Sequence, residues 1–358
     1  MTSLSRSAIA LACLASVLLS DHSAAAQASQ NTLVPSDPPT DPMVAKIIDE
    51  GKNHSHVMDF LHHIAVDVGP RLTGSPELEK GQKWAVSQFQ SMHCDNVHRE
   101  KWGDVPGFQR GRIQIGRMIS PIKSDFQFTT NAWTDGTNGD VRATAINDPK
   151  SLDEAKAMQK QLKGSWVLMP YKANMGGPAR VNRDAKELTD FVDSCGIAGR
   201  VYPSRNELVN TNGNYRYKDG DKFVDKTPTN HPHGVDIMIR KSDMEHIQRW
   251  LSLEPVTLEF NIQNQFLAPM PVYNVIADIK GTEKPDEMVI VSGHFDSWNG
   301  PGSQGANDNG TGASAAMEAA RILTAVHAKP KRTIRFILWS GRRCWWSAIM
   351  NMTESATS

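Results

Sequence analysis

Met288-Val289-Ile290-Val291-Ser292-Gly293-His294-Phe295-Asp296-Ser297-Trp298 is the stretch on which the fold turns. Residues 288–292 are a continuous apolar run, the pattern expected of a strand covered on both faces. A glycine-rich stretch follows at Gly305-Ala306-Asn307-Asp308-Asn309-Gly310-Thr311-Gly312. Ala313, Ala316, Met317, Ala320 and Leu323 then recur at helical spacing, and Pro330 bars continuation. Residues 333–339, TIRFILW, read as a second core strand, expected to present an open edge. Strand, helix and strand make a βαβ unit, so the fold class is α/β.

In open α/β sheets, ligands bind beyond the carboxyl ends of the strands. His294 and Asp296 stand at that place, and in extended backbone residues two apart leave on the same face. An imidazole with a carboxylate suits zinc or cobalt. The loop glycines would let Asp308 fold back towards His294. From the residues alone two readings stand: part of a metal site, or solvated turn residues in a polar loop.

Upstream, residues 272–279 (VYNVIADI) alternate as a half-buried strand. Val44, Ile47 and Ile48, then Val57, Leu61 and Ile64, recur at helical spacing, and Trp84, Ala85, Phe89 and Met92 mark a further helix. Between these lies a dense turn signal, Gly69-Pro70-Arg71-Leu72-Thr73-Gly74-Ser75-Pro76. Residues 97–133 read as short strands broken by Gly and Pro. From 134 to 254 turns such as Asp135-Gly136 and Asp219-Gly220 separate short apolar runs, which marks a separate inserted domain. It holds helix-like stretches at 185–195 and 242–253, the second opened by Ser242 and Glu245 as a capping box.

The 358 residues are 39% hydrophobic and 22% charged, which fits a folded globular protein. Lys plus Arg and Asp plus Glu are both 39, and the cations are scattered, so no nucleic-acid partner is expected. Four Cys cannot staple a chain of this size. Arg6, the apolar run 8–19 and Ala24-Ala25-Ala26 form a signal peptide over 1–26, which predicts a secreted or periplasmic protein with no membrane association after cleavage. Cleavage would leave Cys94, Cys195 and Cys344, an odd number. Residues 27–42 are a Pro-rich linker. His62-His63 and His231-Pro232-His233 read as surface histidines.

HFDSW (294–298), GANDNGTG (305–312) and PKRTIRFILW (330–339) together resemble the co-catalytic zinc exopeptidases, metallopeptidase family twenty-eight. GPRLTGSP, NAWTDGTNG (131–139) and residues 272–298 are similar to the branch of aminopeptidases and plasma glutamate carboxypeptidases. The resemblance runs over about 43–341 and implies a three-layer αβα fold with a mainly parallel sheet. The peptidase domain would comprise 43–133 and 255–341, interrupted by a β-rich protease-associated-like insert over 134–254. It implies two zinc ions, with His294 on one and Asp308 bridging both, while Asp296 orients His294. Water activated between the two ions would attack a peptide or dipeptide substrate, and a homodimer is the optional further partner.

The same resemblance calls for Glu-Glu after the second strand, the first as general base and the second as zinc ligand. Here Gly341 is followed by Arg342 and Arg343, and arginine neither accepts a proton nor binds a cation. Loss of one base in a Gly-Glu-Glu codon run gives Gly-Arg-Arg, so residues 342–358 read as an aberrant tail of a truncated, inactive exopeptidase. The alternative expectation is a non-catalytic secreted peptide- or protein-binding relative.

Overall fold

The computed structural model describes residues 41–130, 132–170, 183–205, 207–209, 235–298 and 304–341. Residues 1–26, expected as a signal peptide, nearly all of the expected linker, His231, His233 and the stretch with Arg342 lie outside the described residues. The chain divides into two compact units, 1–48 and 49–358. Of the first, only residues 41–48 are described, where helix α1 (Pro42–Asn53) begins.

In the second unit, α2 (Val57–His62) runs into a π-helical turn (His63–Val68). Helix α3 (Pro76–Ser91) opens with Ser75, whose side chain accepts from the Leu78 amide, and with proline at its first position. Residues 97–133 differ from expectation. Most of the stretch is one long strand, β1 (Asp95–Ser120), paired antiparallel with β8 (Thr257–Ile279), and short strands follow only at Ser124–Asp125 and Phe128–Thr130. Its register shifts at Lys101/Gly103, Val105/Gly107 and Arg110/Gln114, so the glycines and Pro106 make bulges in a continuous ladder rather than breaks.

This long ribbon joins the clusters at its two ends, and its middle makes a third in which Val105, Phe108 and Val272 pack with Leu72 and Trp133. Near its outer end, Met118 of β1 and Leu258, Phe260 and Ile262 of β8 pack with Phe126, Phe128, Trp166, Ile237 and Ile247. Four short strands stack here: β4 (Val141–Asn147), β5 (Trp166–Leu168), β6 (Gly199–Pro203) and β7 (Asp236–Ile239). They run parallel to one another, and β3 (Phe128–Thr130) joins β7 antiparallel. Helices α4 (Leu152–Ala157), α5 (Gln159–Leu162), α6 (Arg183–Ser194) and α7 (Lys241–Leu251) accompany them, so the region 134–254 is an α/β segment in which helices are as prominent as strands. The capping box does not form: α7 begins at Lys241, and Ser242 donates both its amide and its hydroxyl to the Glu207 carboxylate. A carboxylate from elsewhere thus does the capping at the positive end of the helix.

At the other end of the ribbon, β10 (Arg332–Trp339) lies between β8, antiparallel, and β9 (Lys284–His294), parallel. Helix α8 (Thr311–Ala325) makes the crossover, as the βαβ reading requires. Helices α2, α3 and α8 share one hydrophobic cluster with Val275 and Ala277 of β8 and Phe336 and Leu338 of β10. The sheet is mixed, in the α/β class expected, and helices of the described residues cover this face.

Two expectations about the last strands are corrected. Residues 333–339 are not at an edge, because β10 is paired on both sides. Among the described residues the edge is β9, and its apolar run is not covered on both faces: Met288, Val289 and Ile290 are 47%, 48% and 51% exposed. Residues 272–279 are buried almost throughout rather than alternating, being central to the sheet.

Candidate metal centre

His294 is the last residue of β9 and is buried. Its Nδ1 lies 3.0 Å from the Asp296 carbonyl oxygen and 3.3 Å from Asp296 Oδ1. Its Nε2 lies 3.0 Å from Asp308 Oδ1. The loop thus does bring Asp308 back to His294. Asp296 is fully buried, and its Oδ2 accepts from the Thr73 hydroxyl at 2.8 Å. Asp308 is about half exposed, so one carboxylate faces the interior and the other reaches solvent beside the imidazole.

Local sequence explains the convergence. Asp308 sits in a π-helical turn (Ala306–Gly310) with extended backbone, φ −124° and ψ 92°, directly before α8. The Asn309 side chain ties this turn to the strand: its Nδ2 donates to the His294 carbonyl at 3.2 Å, and its Oδ1 accepts from the Gly312 amide. Gly293 permits the approach, since a Cβ there would lie 2.8 Å from the Gly312 carbonyl carbon.

Sequence reading passed over the second support. The GPRLTGSP stretch, given no site role from the sequence, is zipped against the residues after His294. The Ser297 amide donates to the Arg71 carbonyl at 2.8 Å, and the Arg71 amide donates to Ser297 Oγ at 2.9 Å. The Arg71 side chain has no exposed surface. Burial lowers its pKa to about 10, against the pull of the nearby Asp296 charge, so it stays protonated at neutral pH. No local pattern announces contacts that span more than 220 residues.

Among the described residues no group of three or more His, Cys, Asp and Glu side chains is placed to hold a metal. His62 and His63 are not joined by acidic partners into such a group, although His63 Nδ1 meets Asp67 at 2.8 Å. Cys94 and Cys195 are free thiols. No helix among the described residues is long and apolar enough to cross a membrane.

Residues 274–341, which contain this whole strand–loop–helix–strand unit, match the model of Peptidase family M28. That match is confined to these residues, about a fifth of the chain. Carboxypeptidase Q of Pongo abelii is 27% identical over 293 residues, covering 81% of this chain and 59% of the relative. A probable zinc metalloprotease of Pyrenophora teres f. teres is 31% identical over 97 residues, 25% of this chain and 20% of the relative. A peptidase M28 precursor from Shewanella amazonensis shares the fold, with a TM-score of 0.60 at 22% identity over 88% of this chain and 70% of that one. The chain therefore spans about three-fifths of the length of the curated relatives it matches. His294, Asp296 and Asp308 all fall inside the M28 segment.

Proposed function

We propose that the M28 segment carries part of the co-catalytic zinc centre of an exopeptidase, with His294 and Asp308 as its metal ligands. The observation that supports this most is the 3.0 Å approach of His294 Nε2 to Asp308 Oδ1 at the carboxyl end of β9. The donor set fits zinc, because a neutral imidazole and a carboxylate present a nitrogen and an oxygen to the same point. When bound, a zinc pair supplies Lewis acidity and an activated water for attack on a peptide carbonyl.

The chain's own residues prepare for that. Thr73 holds one oxygen of Asp296, which leaves the other oxygen and the Asp296 carbonyl facing His294 Nδ1. With a cation between Nε2 and Asp308, acceptors on that side would hold the proton on Nδ1 and leave the Nε2 lone pair to the cation. Asp296 is thus the orienting residue rather than a ligand. Half-exposed Asp308 has room to engage two ions.

Arg342 and Arg343 stand where the family resemblance calls for the base and a further ligand, and guanidinium serves neither purpose. With Arg342 and Arg343 at those positions, the chain is expected to show background hydrolysis only. We place it as an exported protein with 134–254 as a protease-associated-like insert and peptides or dipeptides as its ligand class.

The test is equilibrium dialysis of the full chain against zinc, beside His294→Ala and Asp308→Asn, with aminoacyl-anilide and dipeptide hydrolysis assayed on the same samples. The expected result is weak zinc binding abolished by either substitution, and no hydrolysis above buffer. Chelator-sensitive turnover would contradict the inactive reading. Zinc binding indifferent to both substitutions would contradict the site, and peptide binding without zinc would favour a non-catalytic binding relative.

A further inference from the structure

Arg71 is a fully buried cation that bonds carbonyl oxygens throughout. Its Nε donates to Phe295 at 2.8 Å and its Nη2 to Gly305 at 2.9 Å. Nη1 serves Gly69 at 2.8 Å, Ile64 at 2.9 Å and Gln304 at 3.2 Å. The guanidinium also lies over the Phe295 ring, 5.5 Å from its centroid. Burying a charge is costly unless every donor is satisfied, and here all the satisfaction comes from backbone.

The location of those carbonyls gives the arrangement its meaning. Phe295 directly follows His294, whereas Gln304 and Gly305 lie just before the turn that carries Asp308. One planar fork therefore bridges the two sides of the loop whose ends bear the proposed ligands. Gly305 is shaped for the contact: its φ is +64°, and a Cβ there would sit 2.3 Å from Ser297 Cβ and 2.9 Å from Arg71 Nη2. Lysine keeps the charge but has no fork, so it cannot hold both sides at once.

We infer that Arg71 is a positioning residue for the metal centre, setting the separation of His294 and Asp308 through the Phe295 and Gly305 carbonyls. The metallic part of this rests on the reading of that pair as ligands; the positioning of the pair does not.

The experiment uses the full chain with 15N-labelled histidine, and His294→Gln assigns the His294 imidazole signal. Without metal, wild type should show a slowly exchanging imidazole N–H at His294. In Arg71→Lys that proton should exchange about tenfold faster or be lost, and the zinc concentration that half-shifts the signal should rise about tenfold or more, as for other residues behind metal ligands. Glu318→Gln is the control for general loosening, since it breaks a buried pair with Arg321 in α8 away from the loop. It should lower the melting temperature and leave both readings at wild type. Should Arg71→Lys not fold, Gly305→Ala, which displaces the Nη2 contact while keeping Arg71, takes its place with the same expectations.

Wild-type exchange and zinc response in a folded Arg71→Lys or Gly305→Ala chain would overturn the inference and leave the metal reading standing. So would equal losses in Glu318→Gln. A wild-type signal that is protected but indifferent to zinc, with protection lost in Arg71→Lys, would uphold the positioning role and overturn the metal reading.

Discussion

Asp296 has no exposed surface, and its carboxylate meets the Thr73 hydroxyl on one oxygen and the His294 ring on the other. Replacing Thr73 by Val keeps the shape and removes the hydroxyl that donates to Asp296 Oδ2. Removing a donor from a buried, charged acceptor costs about 1–3 kcal/mol. Urea denaturation of Thr73→Val should show a loss of that size, and Thr73→Ser should recover most of it. Equal stability of the Val variant and wild type would show that the bond carries no weight. His294, Asp296 and Asp308 were legible because spacing at a strand end and glycines around an aspartate are local signals. Arg71 and Thr73 were not, because what defines them is a contact across more than 220 residues, and nothing in a Gly-Pro-Arg-Leu-Thr-Gly turn says what it will face.

Strand β9 carries consecutive apolar residues that are all about half exposed, so both of its faces and its outer edge meet solvent among the described residues. Lys284 and Pro285 guard only its beginning. Such an edge is a template for pairing with another chain. Ile290→Lys should place a charge on it without disturbing the β9–β10 ladder, and should reduce the aggregated fraction in size-exclusion chromatography with light scattering. An unchanged profile would move the cause elsewhere. The apolar run correctly identified β9 as a strand, yet its burial was misjudged, because a run reports what a strand can pack against and not which neighbours are present. Bulges in β1 were misread for a related reason: Gly and Pro mark irregular backbone, and only the partner strand decides whether that ends the ladder or bends it.

Across the whole molecule, the β1–β8 ribbon passes from the M28 core into the second core, and one cross-strand rung marks the passage. Glu259 of β8 lies opposite Arg117 of β1 on one side and Arg142 of β4 on the other. The Arg142 hydrogen bond, followed by that of Arg117, holds the Glu259 carboxyl below its ordinary 4.5, with desolvation opposing. A carboxylate with a depressed folded-state pKa stabilises fully above its unfolded value and loses that contribution as pH falls through the folded value. Melting temperatures of wild type and Glu259→Gln should therefore differ most near neutral pH and converge as pH falls past the ordinary carboxyl value and through the depressed folded-state one; a gap that persists in acid would mean packing, not charge, sets the effect. A change of texture near residue 134 was read as a boundary, but β3, Phe126 and the outer β1–β8 residues lie outside it and share a cluster with residues inside it, since chain order does not show which cluster a ribbon end will join. The claim that ties these scales together is that the β9 carboxyl end presents a metal-binding pair. Anomalous diffraction at the zinc edge from crystals of the chain soaked in zinc tests it most directly. The account predicts a peak bonded to His294 Nε2 and the Asp308 carboxylate; a peak on His62 or His63 with none between His294 and Asp308 would contradict it.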